Sequence, residues 1–459
     1  MATVRAEIIS AEVSTGVSNY SEYVNPQWVT LLNLLGMNVE YERCLGCELF
    51  TKDGRRILDF LSGYCVHNAG HNHPYIIQAL KDEMDRCGPA MLQSHVPELA
   101  GELAQRLCKL AGGNLSRVFF ASSGSEGVEA AIKFARATTG RESLLYAEGA
   151  FHGLTCGALS LMGNPFWRAG FGPLLPNTEA IPFNDIAAVE KKLRSARFAA
   201  FIVEPIQSEG GIKIPSPDYL RQVQLSCKKY GTLFVLDEVQ TGMFRTGQFL
   251  AAHYFDAQPD MVIMAKALSG GLVPVAAVLM TDEVNDAVYS SLSRAIVHTS
   301  TFSENALAMR AGLATLDVLE DERLGERATH LGDLLRRRLT ETLSPYEMFE
   351  AAPGIGLLSG IEFKTPSQLA LRLSFEACKA IHPGMFGQML VTRFLRRERV
   401  VTQICGNNFM VLKTAPPLVA EEEHIEAFVE SAKRVVAEVH DSAAFWSDAL
   451  RLARRAINI

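Results

Sequence analysis

Through the middle of the chain, short apolar runs alternate with amphipathic stretches. RVFFAS (117–122), SLLYAE (143–148), AAFIVEP (199–205), TLFVLDE (232–238) and DMVIMAK (260–266) are each bounded by polar residues or glycine. These runs show no in–out alternation. Runs of that kind, interleaved with helical stretches, predict a mostly parallel sheet covered on both faces. Such a sheet binds its ligand beyond the carboxyl ends of the strands.

The flanks read differently. Residues 1–50 predict an irregular or helical arm leading into a short strand, and KDGRRILDF predicts a turn at Asp53-Gly54 followed by a strand. Beyond about residue 310, AMRAGLATLDVLEDERLGERATHLGDLLRRRL reads as one long helical stretch, and GIGLLSGIEF as a strand. Apolar residues at Ile425, Phe428, Val429, Ala432, Val435 and Val436 fall on one helical face. A last helix is expected around Phe445 to Ile457. The expected division is an arm at 1–75, a large domain at 76–310 and a smaller α+β domain at 311–459 that the arm joins.

Composition narrows the class. The chain has 459 residues, 48% hydrophobic and 21% charged, so it can bury a sizeable core. Its net charge of −7 lacks the basic stripe that nucleic acid or anionic lipid would require. The charge-free run ALSGGLVPVAAVLMT is short and broken by Gly270, Gly271 and Pro274, so no membrane span is expected. The opening residues carry acids and no apolar stretch, so no secretory signal is expected. Nine scattered cysteines suit reduced thiols and a cytoplasmic setting. Cys44 and Cys47 form one CxxC with no second pair at zinc spacing, and packing or surface thiols is the favoured reading.

The strand ends carry the candidate chemistry. Ser122, Ser123, Gly124 and Ser125 open an amphipathic helix, a place where free N–H groups and the positive helix end suit a phosphate. An ordinary capped helix start would show the same residues. Glu204 ends one apolar strand and Asp237 another, and a carboxylate there needs a cation, a cap or a cofactor nitrogen to offset its burial. Lys266 ends a third. In apolar surroundings a lysine loses basicity and becomes a nucleophilic amine, although a snorkelling side chain is the commoner outcome. The three features come in order on one sheet.

These residues resemble the class III (ω-type) aminotransferases, pyridoxal 5′-phosphate enzymes of fold type I, and in particular the putrescine and ornithine branch. The motifs are DGRRILDFLSGYCVHNAGHNHP, SSGSEGVEAAIKFAR, FHG at 151–153, EPIQSEGG, LDEVQTGMFRTG, PDMVIMAKALSGG and HTSTFSENALA. The resemblance, from about Leu45 to Ala437, implies a seven-stranded sheet flanked by helices. It implies Lys266 as the Schiff-base lysine and Asp237 as the partner of the pyridine nitrogen, with Ser123, Gly124 and Ser125 as the phosphate cup. Phe151 and Val239 would flank the ring, Gln240 would contact the phenolic oxygen, and His152 and Glu204 would support them. Thr301 would be donated by a neighbouring subunit, which implies a homodimer. The implied reaction moves an amino group from a primary amine or ω-amino donor to a 2-oxoacid or aldehyde. An aminomutase, racemase or phospho-lyase on the same scaffold is the alternative, and a non-catalytic binding protein a more distant one.

Departures from the family pattern concern the substrate. Glu209 fills a gate position, but Lys413 stands where arginine is usual before Pro416-Pro417, and lysine lacks the bidentate fork. Tyr64 matches a position near the substrate pocket. Gly127 replaces the more usual alanine, and Ser303-Glu304-Asn305 follows the STF motif. The Phe-, Met- and Leu-rich stretch 375–401 reads either as core of the small domain or as a lipophilic wall for a carbon chain. Arg393, Arg396, Arg397 and Arg399 are expected in solvent. His67, His71 and His73 belong to the family's Gly-His turn rather than to a metal cluster.

Overall fold

A computed structural model describes residues 15–92, 94–441 and 444–448. The central sheet has seven strands: β1 (Arg117–Ala121), β2 (Ser143–Ala147), β3 (Thr178–Ile181), β4 (Phe198–Val203), β5 (Leu233–Asp237), β6 (Met261–Met264) and β7 (Ala276–Met280). Their spatial order is β1-β7-β6-β5-β4-β2-β3. All pairings are parallel except those of β7, which runs antiparallel to both neighbours. Every residue of β2, β4, β6 and β7 is buried, which explains apolar runs without alternation. The five runs read from the sequence are β1, β2, β4, β5 and β6. The pattern did not single out β3 or β7. The four residues of β3 hold one buried position at the sheet edge, and β7 follows a segment broken by glycines and a proline.

Helix α1 (Gly124–Thr139) follows β1. Ser123 caps it by accepting the Glu126 amide at 3.2 Å, while the Glu126 carboxylate accepts the Ser122 amide at 2.8 Å. Its buried face includes Gly127, Val128, Ala131 and Phe134. A methyl group on Gly127 would lie 2.8 Å from Cγ2 of Ile263 on β6, so the isoleucine fills the space an alanine would take. Gly127→Ala is therefore expected to destabilise. Overpacking costs about 1–3 kcal/mol, against a gain of up to about 1 kcal/mol in helix propensity. Chemical unfolding checks this, and a higher midpoint for the variant would contradict it.

Two smaller sheets flank the large one. Tyr41–Leu45, Glu48–Thr51 and Arg56–Asp59 form a meander, and Val400–Val401 adds to it parallel to Arg56–Asp59. The second contains Phe349–Ala351, Leu358–Phe363, Asn408–Thr414 and Gln403–Cys405, with Gly354–Ile355 paired to Leu358–Phe363. The arm consists of helices Thr15–Tyr23 and Pro26–Leu35 before the first strand. The stretch expected as one long helix is two, Ala306–Asp321 and Leu324–Leu343, broken where Arg323 takes a left-handed φ of +50°. Helix Glu422–Asp441 buries all six residues of the expected stripe. Of the last expected helix, residues beyond 448 lie outside the described ones, while Phe445 and Trp446 are buried.

The large apolar side chains of segment 375–401 are interior, while Arg396, Arg397 and Arg399 are exposed. Phe375, Met385, Phe386, Met389, Leu390 and Phe394 are buried, and Phe386 packs on Phe363, Phe375 and Trp446. Arg393 departs from the solvated expectation. It is buried and ion-paired to Glu438 at 3.2 Å and Asp448 at 2.7 Å, which offsets the cost of removing its charge from water. No helix among the described residues is long and apolar enough to cross a membrane.

Candidate active site

A cavity of about 470 Å³ opens where β1, β2, β4, β5 and β6 end. Each strand delivers a residue singled out in the sequence. Ser123, Gly124 and Ser125 come after β1, Phe151 and His152 after β2, and Glu204 after β4. Asp237 closes β5, with Val239 and Gln240 beyond it, and Lys266 follows β6. Because β5 and β6 are adjacent and parallel, with Asp237 opposite Ile263, the acid and the lysine are brought to the same end of the sheet.

Asp237 is held at both oxygens. Its Oδ2 lies 2.8 Å from Nδ1 of His152, and its Oδ1 accepts the Val239 amide at 3.1 Å. Lys266 has a left-handed φ of +48°, a strained conformation for a residue with a Cβ. Burial lowers the pKa of its ammonium. Burial first, and then Asp237 and Glu209, push the Glu204 carboxyl well above the usual range. Gly153 has a φ of +118°, and a Cβ there would collide with Ser125 Oγ, so the FHG glycine lets the two turns meet.

These residues fit the cofactor that the sequence implies. The start of the 16-residue α1 presents Ser123–Ser125 to the cavity, an anion cradle with free amide groups. A cavity-facing amine of lowered pKa and a fixed carboxylate complete the set. In the same wall, His152 Nε2 and Glu204 Oε2 are buried without a hydrogen-bond partner, as expected of groups that meet a polar ligand.

Four of the named residues lie outside the cavity wall. Glu209 and Lys413 form a buried ion pair behind Gln240. Gln240 Nε2 donates to Glu209 at 3.2 Å, the Gly406 amide donates to it at 2.8 Å, and Ser208 Oγ donates to Gln240 at 2.9 Å. Burial opposes the charge on both partners, but each holds the other ionised: the Lys413 pKa is raised and that of Glu209 lowered. The Tyr64 ring centroid lies 5.4 Å from Lys413 Nζ. Tyr64 belongs to a run, Ser62–Cys65, in which all four residues have positive φ. Asp59 secures the run by accepting the amides of Leu61 and Ser62, both at 2.8 Å. Thr301 is exposed and away from the cavity.

His71 Nε2 lies 2.7 Å from Asp59, and His73 Nε2 3.0 Å from Glu322. Burial and then the adjacent His71 push His67 down to about 4. No group of three metal-ligating side chains occurs among the described residues. Sequence reasoning missed Ser208, Gly406 and Asn407. Their contacts come from distant segments and carry no local signal. It also missed Arg245, fully buried, which donates to Pro416 O and Asn68 Oδ1, both at 2.5 Å, and to Ser62 Oγ at 3.1 Å.

The cavity, the strand order and the three strand-end groups are those of a pyridoxal phosphate enzyme. The chain belongs to the class III aminotransferases, whose family description, Aminotransferase class-III, matches residues 33–436. It is 34% identical over 454 residues to the aminotransferase PigE of Serratia sp. (strain ATCC 39006), covering 92% of this chain and 53% of that protein. The chain thus spans about half the length of that relative. It is also 34% identical over 450 residues to a putrescine aminotransferase of Pectobacterium atrosepticum, covering 95% of this chain and 90% of that one. An ornithine aminotransferase from Toxoplasma gondii, solved with pyridoxal phosphate at partial occupancy in its active site, superposes with a TM-score of 0.81. The identity is 26%, over 96% of this chain and 98% of that one.

Proposed function

We propose that this chain transfers an amino group from a primary amine or ω-amino donor to a 2-oxoacid or aldehyde, in two half-reactions that share one site. The observation that carries the proposal is the meeting of Lys266, Asp237 and the Ser123–Ser125 cradle in one cavity. When bound, pyridoxal 5′-phosphate supplies the electron sink that makes the substrate carbon acidic.

The chain supplies the rest. Lys266 Nζ would hold the cofactor, and burial lowers its pKa, which favours the amine form that can take a proton from the substrate carbon. The Asp237 carboxylate is oriented by His152 and the Val239 amide, and its charge would favour a protonated ring nitrogen. Phe151 and Val239 would flank the ring, Gln240 would contact the phenolic oxygen and Ser123–Ser125 would hold the phosphate. Glu204 and His152 support this shell. Glu209, Lys413 and Tyr64 shape the substrate side behind Gln240.

A homodimer is part of the proposal, with Thr301 completing the neighbouring subunit's phosphate site. Its exposed position beside exposed Phe302, Ile296 and Leu292 supports this. A cytoplasmic setting is supported by nine unpaired cysteines. The division into 1–75, 76–310 and 311–459 is supported by the pairing of Val400–Val401 with Arg56–Asp59, which ties the arm to the C-terminal segment.

The test is spectroscopic and then catalytic. Protein reconstituted with pyridoxal 5′-phosphate is expected to show a visible band that bleaches when an amine is added and returns with a 2-oxoacid. Sustained turnover without any added oxoacid or aldehyde would replace the proposal with a mutase, racemase or lyase. A colourless protein would end it.

A further inference from the structure

Thr301 stands between two anchors. On its C-terminal side, Asn305 caps the helix Ala306–Asp321. Its Oδ1 accepts the Ala308 amide at 2.9 Å, and its Nδ2 donates to the Phe302 carbonyl at 2.6 Å. On its N-terminal side is His298, whose carbonyl accepts the Tyr289 hydroxyl at 3.0 Å. The His298 ring packs against Phe119 and Phe134, with centroids 4.6 and 5.1 Å away. Its Nδ1 lies 2.6 Å from Nζ of Lys133. Phe119 belongs to β1, and Lys133 and Phe134 to α1. The β1–α1 unit that presents Ser123–Ser125 to the cavity therefore also grips the loop that carries Thr301.

The contact between Lys133 and His298 requires a neutral imidazole. An ammonium has three donors and no acceptor, so Nδ1 must offer its lone pair. A proton there would remove the acceptor and set two positive charges 2.6 Å apart. Burial and then Lys133 lower the His298 pKa, which favours the neutral ring at neutral pH. The packed aromatic rings of β1 and α1 bring no further charge. Tyr289 stays a donor, because burial and then Glu304 push its hydroxyl up to about 12. The Asn305 anchor does not titrate.

Resting on the phosphate site shared between subunits, we propose that Lys133 and His298 form a clasp that positions Thr301 for the neighbouring subunit's cofactor phosphate, and that a proton on His298 opens it. Both are positioning residues that act through Thr301. A histidine held neutral by its packing contributes fully above its ordinary pKa of about 6.5. The contribution is lost as pH falls through the lowered value. Acid therefore loosens the cofactor at the donated threonine, while the cup at the start of α1 keeps its shape.

The test is the dissociation constant for pyridoxal 5′-phosphate by equilibrium dialysis, from about pH 8 to about pH 5.5, on either side of an ordinary histidine pKa. Sedimentation follows the dimer in parallel. Lys133→Met should raise the constant about three- to thirtyfold at the higher pH, between the worth of an exposed charged contact and that of a buried one. Lys133 is exposed, so the exchange leaves the packing alone. His298→Gln keeps an acceptor without a titrating group, so its affinity should fall less on acidification than the parent's, by about the same factor. Thr301→Val should weaken binding alone, and Lys133→Met should then add nothing, since both remove one contact. Additive costs in the double variant would reduce Lys133 to a structural role and overturn the proposal. Parallel acid profiles for the parent and His298→Gln would overturn it as well. A Thr301→Val variant that binds like the parent, or a parent that sediments as a monomer, would instead defeat the shared-site reading and take the clasp with it.

Discussion

Lys266→Ala is expected to lose turnover by at least about 10²–10⁴-fold, the contribution of one positioned proton-transfer group. The loss of the covalent link adds to this. The reasoning starts from the cavity. Lys266 lines it directly after β6, and burial lowers its pKa, which favours the amine over the ammonium. The substitution should leave the fold intact, since alanine accepts the same backbone conformation as lysine and removes an amine that paid a desolvation cost. Circular dichroism and a thermal scan provide the control. Borohydride should fix the cofactor to the parent chain and not to the variant. Borohydride-stable labelling that persists in the variant would move the role to another amine.

Asp237→Asn is expected to lower kcat on the order of 10²–10³-fold, the usual effect of removing one preorganised electrostatic contact. Asparagine is preferred to alanine because Asp237 accepts the Val239 amide and meets His152. Truncation would leave buried donors unpaired, at about 1–3 kcal/mol each, and confuse stability with chemistry. The amide keeps the shape and removes the charge that favours a protonated ring nitrogen. The expected pattern is retained cofactor binding, retained stability and slow half-reactions in both directions. A kcat near that of the parent would contradict the role given to Asp237.

Lys266 and Asp237 were legible in the sequence for the same reason. Each ends an apolar run, which makes it conspicuous, and the order of the runs in sequence is enough to place both on one sheet. Residues placed by long-range packing were harder to read. Arg393 sits in a sequence rich in arginine, RFLRRER, and nothing local distinguishes it from Arg397. Only the approach of Glu438 and Asp448 makes its burial tolerable. The helix break at Arg323 was invisible because the apolar periodicity continues through it. Segment 375–401 allowed both a core and a channel reading, since the same Phe and Met residues serve either.

The sequence by itself determined five of the seven strands, the helix start at Ser123–Ser125, and the Lys266–Asp237 pair of strand ends. These depend on local apolar patterning and on small residues at turns, which act over a few positions. The tertiary structure alone decided that Lys413 is locked by Glu209, 204 positions away. It also decided that Arg245 knits segments ending at Pro416, and that Trp167 stands behind Phe151 on a support from Asn407. Such contacts arise from loop closure between distant segments. Their energy is set by what the folded backbone brings within a few ångströms, and no local pattern encodes it.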